Sequence, residues 1–434
     1  MALSRYVQRS LVVCAVLAVL VGVAQSTAAP RPPSPTPDRI VLTWKTDPRT
    51  SQAVTWRTDA SVREPVVQVA TATAGPKAPE DVRAVAATSQ ELALEGRTVA
   101  HYHTANIEGL EPGKRYMYRV GDGAVWSPWY SFRTASSQPE RFTFLYFGDT
   151  QNGIRASASR VVRQALADAP HARFTLHAGD LINTANSDSD WEEWHDVYGW
   201  ANASIPVIAT PGNHEYAKGA TDDAPRILTA HWRPQFGLPE NGPAGVAPET
   251  AYYVDFQGVR IIALNSMDEP RAQAEWLRGV LANNPNRWTV VTFHHPIYSI
   301  ARGRDNKELR ELWRPVLLEG KVDLVLQGHD HIYGRGNPDA GPAGPGPVYL
   351  VSVTGTKQYE MTNRSWARRA GQDLQLYQVI TVDGSRLRFE ARTAEGDLYD
   401  AFELRKSAGG RVALREMAPR HRAEQLRPAA AGAK

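Results

Sequence analysis

Cysteine is nearly absent from this 434-residue chain, which contains only Cys14. That residue lies inside an apolar run near the N-terminus, so no disulfide network holds the remainder together. A strong charge of one sign is missing too. Lys and Arg number 49 against 46 Asp and Glu, a net +3. That balance does not suit a nucleic-acid binder, and much of the excess falls in the last thirty residues. Long hydrophobic runs are scarce. A membrane helix needs about 20 consecutive apolar residues, and only Leu11 to Ala24 approaches this. No internal repeat and no activated Ser or Cys triad stands out. Disorder, collagen and coiled coil are poor readings of a chain with 42% apolar and 22% charged residues.

What is present begins with residues 1–29, which read as a secretory signal. Arg5 and Arg9 give a positive start, the apolar run follows, and Ser26-Thr27-Ala28-Ala29 supplies small residues for cleavage. The expectation is a secreted or periplasmic protein. The lack of disulfides fits bacterial export better than a eukaryotic secretory route. Residues 30–37 form a Pro-rich linker.

From residue 38 to 135 the pattern is short alternating runs. Ile40–Trp44, Ala53–Trp56, Val66–Val69 and Met117–Val120 read as strands, with turn signals at Glu111-Pro112-Gly113 and Gly121-Asp122-Gly123. This predicts an all-β sandwich, with Trp44 and Trp56 in its core. Residues 140–405 change period. Apolar runs at Phe142–Phe147, Phe174–Ala178, Ile205–Thr210, Trp288–Phe293 and Val322–Gln327 alternate with helical patterns over 157–168, 271–283 and 307–319. A hairpin is expected over 251–265, and more strands at 347–353, 375–382, 386–393 and 397–404. The fold class expected is a layered α/β domain behind an all-β domain. The basic tail, residues 406–434, is expected to be disordered.

The chemistry collects where these strands end. In order come Gly148-Asp149-Thr150-Gln151, Gly179-Asp180-Leu181-Ile182-Asn183, Gly212-Asn213-His214-Glu215, His294-His295-Pro296 and Gly328-His329-Asp330-His331. In open α/β sheets, ligands bind at the carboxyl ends of strands. Carboxylate, amide and imidazole donors together suit Fe, Mn, Zn or Co rather than Mg or Ca. The donors are too many for one ion, so two ions sharing a carboxylate is the economical reading. Taken singly, Gly-Asp says little, and His294-His295 could be a satisfied buried pair. The ordered set is far more specific.

That ordered set resembles the calcineurin-like metallophosphoesterases, and within them the purple acid phosphatases. Residues 105–123, with Asn106-Ile107-Glu108-Gly109-Leu110 and Tyr116-Met117-Tyr118-Arg119-Val120, are similar to the second half of that family's N-terminal fibronectin-III-like domain. The resemblance implies that Asp149 and His331 bind a first metal and Asp180 bridges. Asn213, His294 and His329 would bind the second. It places His214 against the phosphate, supported by Glu215, and His295 behind the ligands. One departure is specific. The family's tyrosine, three residues after the bridging aspartate, is here Asn183, and the histidine used by other metallophosphoesterases is here Gln151. The first metal could take the Gln151 amide, Asn183 or water.

The function expected is an exported phosphatase cleaving phosphate monoesters by in-line attack of hydroxide generated at the ions. Asp180, His214 and Glu215 form the expected catalytic set. Asn213, His214, Arg302, Arg304 and Lys357 are the expected substrate contacts, although the three cations could equally be plain surface charge. A phosphodiesterase or nucleotidase could use the same core. A non-catalytic binding module fits the complete ligand set poorly. The expected partner is a small phosphorylated substrate, with neither nucleic acid nor membrane beyond the signal segment.

Overall fold

The computed structural model describes residues 29–77, 79–219, 224–342, 344–417 and 423–427. The proposed signal segment, apart from Ala29, lies outside these residues. Among them, no helix is long and apolar enough to cross a membrane.

Eight strands form the front domain: β1 (Asp38–Thr43), β2 (Gln52–Thr58), β3 (Val66–Thr71), β4 (Arg83–Ala86), β5 (Thr88–Ala93), β6 (Val99–Ile107), β7 (Arg115–Gly121) and β8 (Tyr130–Arg133). They pair as two antiparallel sheets, β1-β2-β6-β5 and β4-β3-β7-β8. Their inward residues, among them Leu42, Trp56, Val67, Val69 and Tyr118, close one apolar core. Trp44 departs from expectation. It leaves the sandwich and stacks on Phe256 of the second domain, with ring centroids 4.9 Å apart. Period-2 alternation shows that such a residue is buried, but not which domain buries it.

The second domain has two mixed sheets face to face. The first joins β9 (Phe142–Phe147), β10 (Thr175–His177), β11 (Val207–Ala209) and four late strands, in the order β11-β10-β9-β21-β22-β23-β24. A two-residue ladder, β12 (Tyr216–Ala217) with β13 (Ile227–Leu228), stands apart. The second sheet holds β14 (Tyr252–Phe256), β15 (Val259–Ala263), β16 (Trp288–Phe293), β17 (Leu324–Gln327), β18 (Tyr333–Gly336), β19 (Val348–Val351) and β20 (Arg369–Gly371). Its order is β14-β15-β16-β17-β19-β18-β20. The first sheet is completed by β21 (Leu376–Asp383), β22 (Arg386–Thr393), β23 (Leu398–Lys406) and β24 (Val412–Glu416). Helices α1 (Ser159–Asp168) and α2 (Asp188–Tyr198) cover the first sheet. A short α3 (Trp232–Gln235) lies against the front domain, and α4 (Pro270–Ala282) and α5 (Lys307–Glu319) cover the second sheet.

Parallel strands β9, β10 and β11 point the same way, as do β15, β16, β17 and β19. The fully buried run of β16, and that of β9 apart from Thr143, are what parallel strands covered on both faces require. Their carboxyl ends therefore gather on one rim.

The tail expectation is corrected. Residues 412–416 are β24, paired with β23, and Glu416 binds the buried Arg335 at 2.8 Å. Glu424 and Gln425 bond Ala370 and Gln372. An Arg- and Ala-rich composition hid charges that find partners on distant strands.

The two domains meet through buried polar groups. Arg39 binds Asp188 at 2.6 Å, both 2% exposed at the side chain, and Arg57 joins them at 3.4 Å. Breaking such a buried pair costs about 3–5 kcal/mol, because the surviving charge is left unpaired. Asp188 opens α2, so the front domain grips a helix that lines the site.

Candidate metal centre

Five strand ends deliver the site residues. Asp149 and Gln151 follow β9, and Asp180 follows β10. Asn213, His214 and Glu215 follow β11, His294 and His295 follow β16, and His329 and His331 follow β17. The backbone is strained there. Asp149, Asp180, His329 and His331 adopt φ of 21°, 51°, 73° and 47°. Non-glycine residues at positive φ cost of order 1–3 kcal/mol each and cluster at functional sites. Gly179 permits the close approach: a Cβ there would lie 2.6 Å from Gly212 N and 2.9 Å from His294 Nδ1.

Two donor groups result. Asp149, Asp180 and His331 each offer a ligand atom within 4.8 Å of the others, as do His294, His295 and His329. Asp180 connects them. Its Oδ2 lies 3.1 Å from His294 Nε2 and 2.6 Å from Gln151 Nε2. Gln151 Nε2 is also 3.2 Å from His331 Nε2. On the other side, His294 Nε2 is 3.1 Å from both Asn213 Oδ1 and His329 Nδ1.

The donors fit a pair of cations. His294 Nδ1 donates to the Ala178 carbonyl at 2.9 Å, and His331 Nδ1 to the Lys357 carbonyl at 3.1 Å. That leaves each Nε2 lone pair facing the site. Asp149 Oδ1 and the Gln151 amide oxygen are buried without any hydrogen-bond partner. Buried acceptors crowding one another are costly unless something positive lies between them. Protonation supplies a little of this in the protein alone. Burial would lower His294, but attraction to Asp180 outweighs it and raises the imidazole to about 9. Burial raises the Asp180 carboxyl, yet His294 wins and holds it below the usual carboxylate range. Asp149, with weaker compensation, is pushed well up by burial. Burial drives His331 down to about 3, so it stays a neutral donor.

The remaining site residues divide. His214 donates its backbone N–H to Asp180 Oδ1 at 2.9 Å and Nδ1–H to the Asn183 carbonyl at 2.5 Å, which leaves Nε2 free. Glu215 departs from expectation and takes no catalytic position. It is fully buried, and its oxygens accept the amides of Gly212, Asp180 and Leu181 at 2.7–2.9 Å. It therefore shapes two ligand loops, and its carboxylate makes no hydrogen bond to the His214 ring. Burial and the nearby Asp180 raise its carboxyl to about 7. Asn183 turns its side chain to Asn152 Nδ2 at 2.7 Å, so of the two amides Gln151 is the one at the first donor group. His295 is more than backing: its ring lies 4.1 Å from that of His329, and Ser266 Oγ meets Nδ1 at 2.8 Å.

The three expected cationic contacts also separate. Arg302, 63% exposed at the side chain, is neutralised by Glu360 at 2.8 Å. It is corrected to a surface ion pair. Arg304 and Lys357 stay beside the ligands, Arg304 on the His329 carbonyl and Lys357 through its own carbonyl on His331. Sequence reasoning missed four residues. Asp190 Oδ2 accepts the amides of Asn183 and Thr184 at 3.2 and 2.8 Å, bracing the carbonyl that holds His214. Ser187 caps α2 through Asp190 N, and that Ser-x-x-Asp pattern was a readable signal. Arg226 reaches the Asn213 carbonyl at 3.0 Å, and Tyr359 faces His331. Nothing in the local sequence marks either one. A cavity of about 1210 Å³ lies at the other ends of these strands, and none of the donor residues lines it.

Comparison with known proteins agrees with the geometry. Residues 142–333 match the calcineurin-like phosphoesterase model, and residues 37–134 match the purple acid phosphatase N-terminal domain. Residues 142–333 thus carry a calcineurin-like phosphoesterase domain, and its strand ends hold the two donor groups. More particularly, the chain joins a purple acid phosphatase N-terminal domain to that phosphoesterase domain and has purple acid phosphatase homologues. An uncharacterized protein of Mycobacterium tuberculosis is 25% identical over 68% of this chain, which spans 61% of that relative's length. Purple acid phosphatase 15 of Arabidopsis thaliana is 26% identical over 60% of this chain and 54% of its own. A probable inactive purple acid phosphatase of the same plant is 22% identical over 89% of this chain and 72% of its own. The purple acid phosphatase from yellow lupin seeds shares the fold at a TM-score of 0.76 and 19% identity, covering 87% of this chain and 75% of that one.

Proposed function

We propose that the protein is an exported hydrolase of phosphate monoesters that works with two metal ions drawn from Fe, Mn, Zn or Co. One observation carries this reading. Asp180 stands between two converging donor groups, and His214 is fixed beside it with one ring nitrogen unused.

Asp149, Gln151 and His331 would hold one ion and Asn213, His294 and His329 the other, with Asp180 common to both. His295 stands within reach of the second. When bound, such ions polarise phosphoryl oxygens and lower the pKa of water. The chain's own groups do the rest. Asn213 and His214 sit on one strand-end loop and present side chains to a phosphate lying across Asp180. His214 Nε2 is placed to hold a proton and pass it to the departing alkoxide oxygen. Its Nδ1–H bond to Asn183 fixes the ring, and Asp190 fixes Asn183. Glu215 keeps the loops carrying Asp180 and Asn213 at one separation. Export rests on the charged and apolar pattern of residues 1–29.

The test is elemental analysis of purified protein together with a panel of monoesters and diesters. Two metal equivalents and chelator-sensitive phosphate release from monoesters are expected. Full metal loading with no ester cleaved would overturn the reading, as would cleavage that ignores chelation.

A further inference from the structure

One side of the site's mouth carries positive charge without matching acid. Arg304 Nη1 donates to the His329 carbonyl at 2.9 Å, and its guanidinium lies 4.3 Å from the centre of the Tyr359 ring. Lys357 Nζ is 5.0 Å from the same ring centre, and its carbonyl orients His331. Tyr359 stands edge-on to His331, with centroids 5.0 Å apart at 81°. The two cations thus stand one aromatic ring outward from the first donor group.

Among the described residues, neither cation has a carboxylate within 4.0 Å. Glu360 is taken by Arg302. Asp330 feels Arg304 only through space, and its Oδ2 is occupied by Ser299, Ile300 and Ala301. The surplus reaches the ligands. Arg304 holds the His329 carbonyl through Nη1, and the Lys357 carbonyl holds His331 Nδ1. Unpaired cations beside a centre built to take metal ions repel it unless an anion shares the space. Both cations lie against Tyr359, whose ring in turn packs on His331, so they are set beside the donor groups and not among them.

We infer that Arg304, Lys357 and Tyr359 form a subsite for a second anionic group on the substrate. The favoured esters carry a carboxylate or another phosphoryl group a few bonds from the scissile phosphate. Tyr359 offers both cations an aromatic ring to pack on, and Arg offers a planar fork to such an oxyanion. The inference rests on the phosphoesterase reading and names its substrate class.

The experiment compares two inert probes of nearly equal shape, phosphonoacetate and ethylphosphonate, which differ by a carboxylate in place of a methyl. Binding to the metal-loaded protein is measured by calorimetry. Phosphonoacetate is expected to bind about tenfold more tightly, equivalent to roughly 1.4 kcal/mol. In R304Q/K357Q that ratio falls to about one. Equal affinities in the unmodified protein overturn the inference without any variant, and so does a ratio that survives the double substitution. Failure of the underlying reading looks different: neither phosphonate binds and no ester is cleaved.

Discussion

The half of the centre around Asp149, Gln151 and His331 is sealed, whereas the half around Asn213, His294 and His329 opens to solvent. In the first, every side chain is within 1% of complete burial. In the second, His294 is buried but Asn213, His214 and His329 are partly exposed. The sealed half has a carboxylate and an amide and lacks the phenolate or second imidazole expected of its relatives. The open half is rich in nitrogen donors, with His295 beside them. A buried oxygen-rich pocket fixes an ion, and an open imidazole-rich one leaves room for substrate and water.

The comparison breaks most completely at Asp180, which both halves share. Asp180→Asn should lose both metal equivalents and all measurable turnover. Elemental analysis that still finds two ions in an active variant would show that the halves do not depend on one bridge.

Next in size is His214→Ala, which tests whether the open half separates binding from chemistry. Metal content should be retained while turnover falls by roughly 10²–10⁴, the usual range for a general acid or base. Loss of one ion would make His214 a ligand instead. Asp190→Ala should lower turnover in the same direction but less, and Asp190→Asn, which keeps an acceptor oxygen, should largely restore it. Equal defects in the two variants would mean that Asp190 does not act through the Asn183 carbonyl.

Gln151→Ala addresses the sealed half alone. Affinity for one ion should weaken by about 10–100-fold, within the range seen for supporting groups around metals, while the second equivalent persists in a titration. A variant that binds both ions normally would leave Gln151 as filler.

The smallest effect is spectroscopic. Iron-loaded protein should lack an intense visible band, because no phenolate stands at residue 183. Tyr146 and Tyr198 are also engaged, on the Gln327 carbonyl and on Thr150. A purple unmodified protein would refute this, and colour appearing only in Asn183→Tyr would place residue 183 beside the first ion.

Much of the site was legible from the chain because apolar strands run directly into polar residues. The strand spans Phe142–Phe147, Trp288–Phe293 and 386–393 were read at their observed limits. Helices α1, α4 and α5 lay within two residues of their predicted starts. Ligands at strand ends inherit that clarity. Strand β6 was missed, and helix α2 was given no bounds. In β6 the residues Val99-Ala100-His101-Tyr102-His103 mix polar and apolar types, and four of the five are buried or nearly so. In α2, acidic residues alternate with tryptophans that face inward.

The sequence alone therefore determined which residues form strands, where those strands end and which donors stand there. Periodicity and direct succession along the chain are local properties. Tertiary structure decided how each polar side chain is spent. Arg302 and Arg304 are two residues apart, yet one meets Glu360 and the other His329 and Tyr359. Glu215 follows His214, yet it turns inward to three backbone amides while His214 faces the site. Trp44 and Trp56 share a pattern but enter different cores. Hydrogen bonds and ion pairs extend only about 3–4 Å, so their partners are fixed by whichever distant segment the fold brings that close.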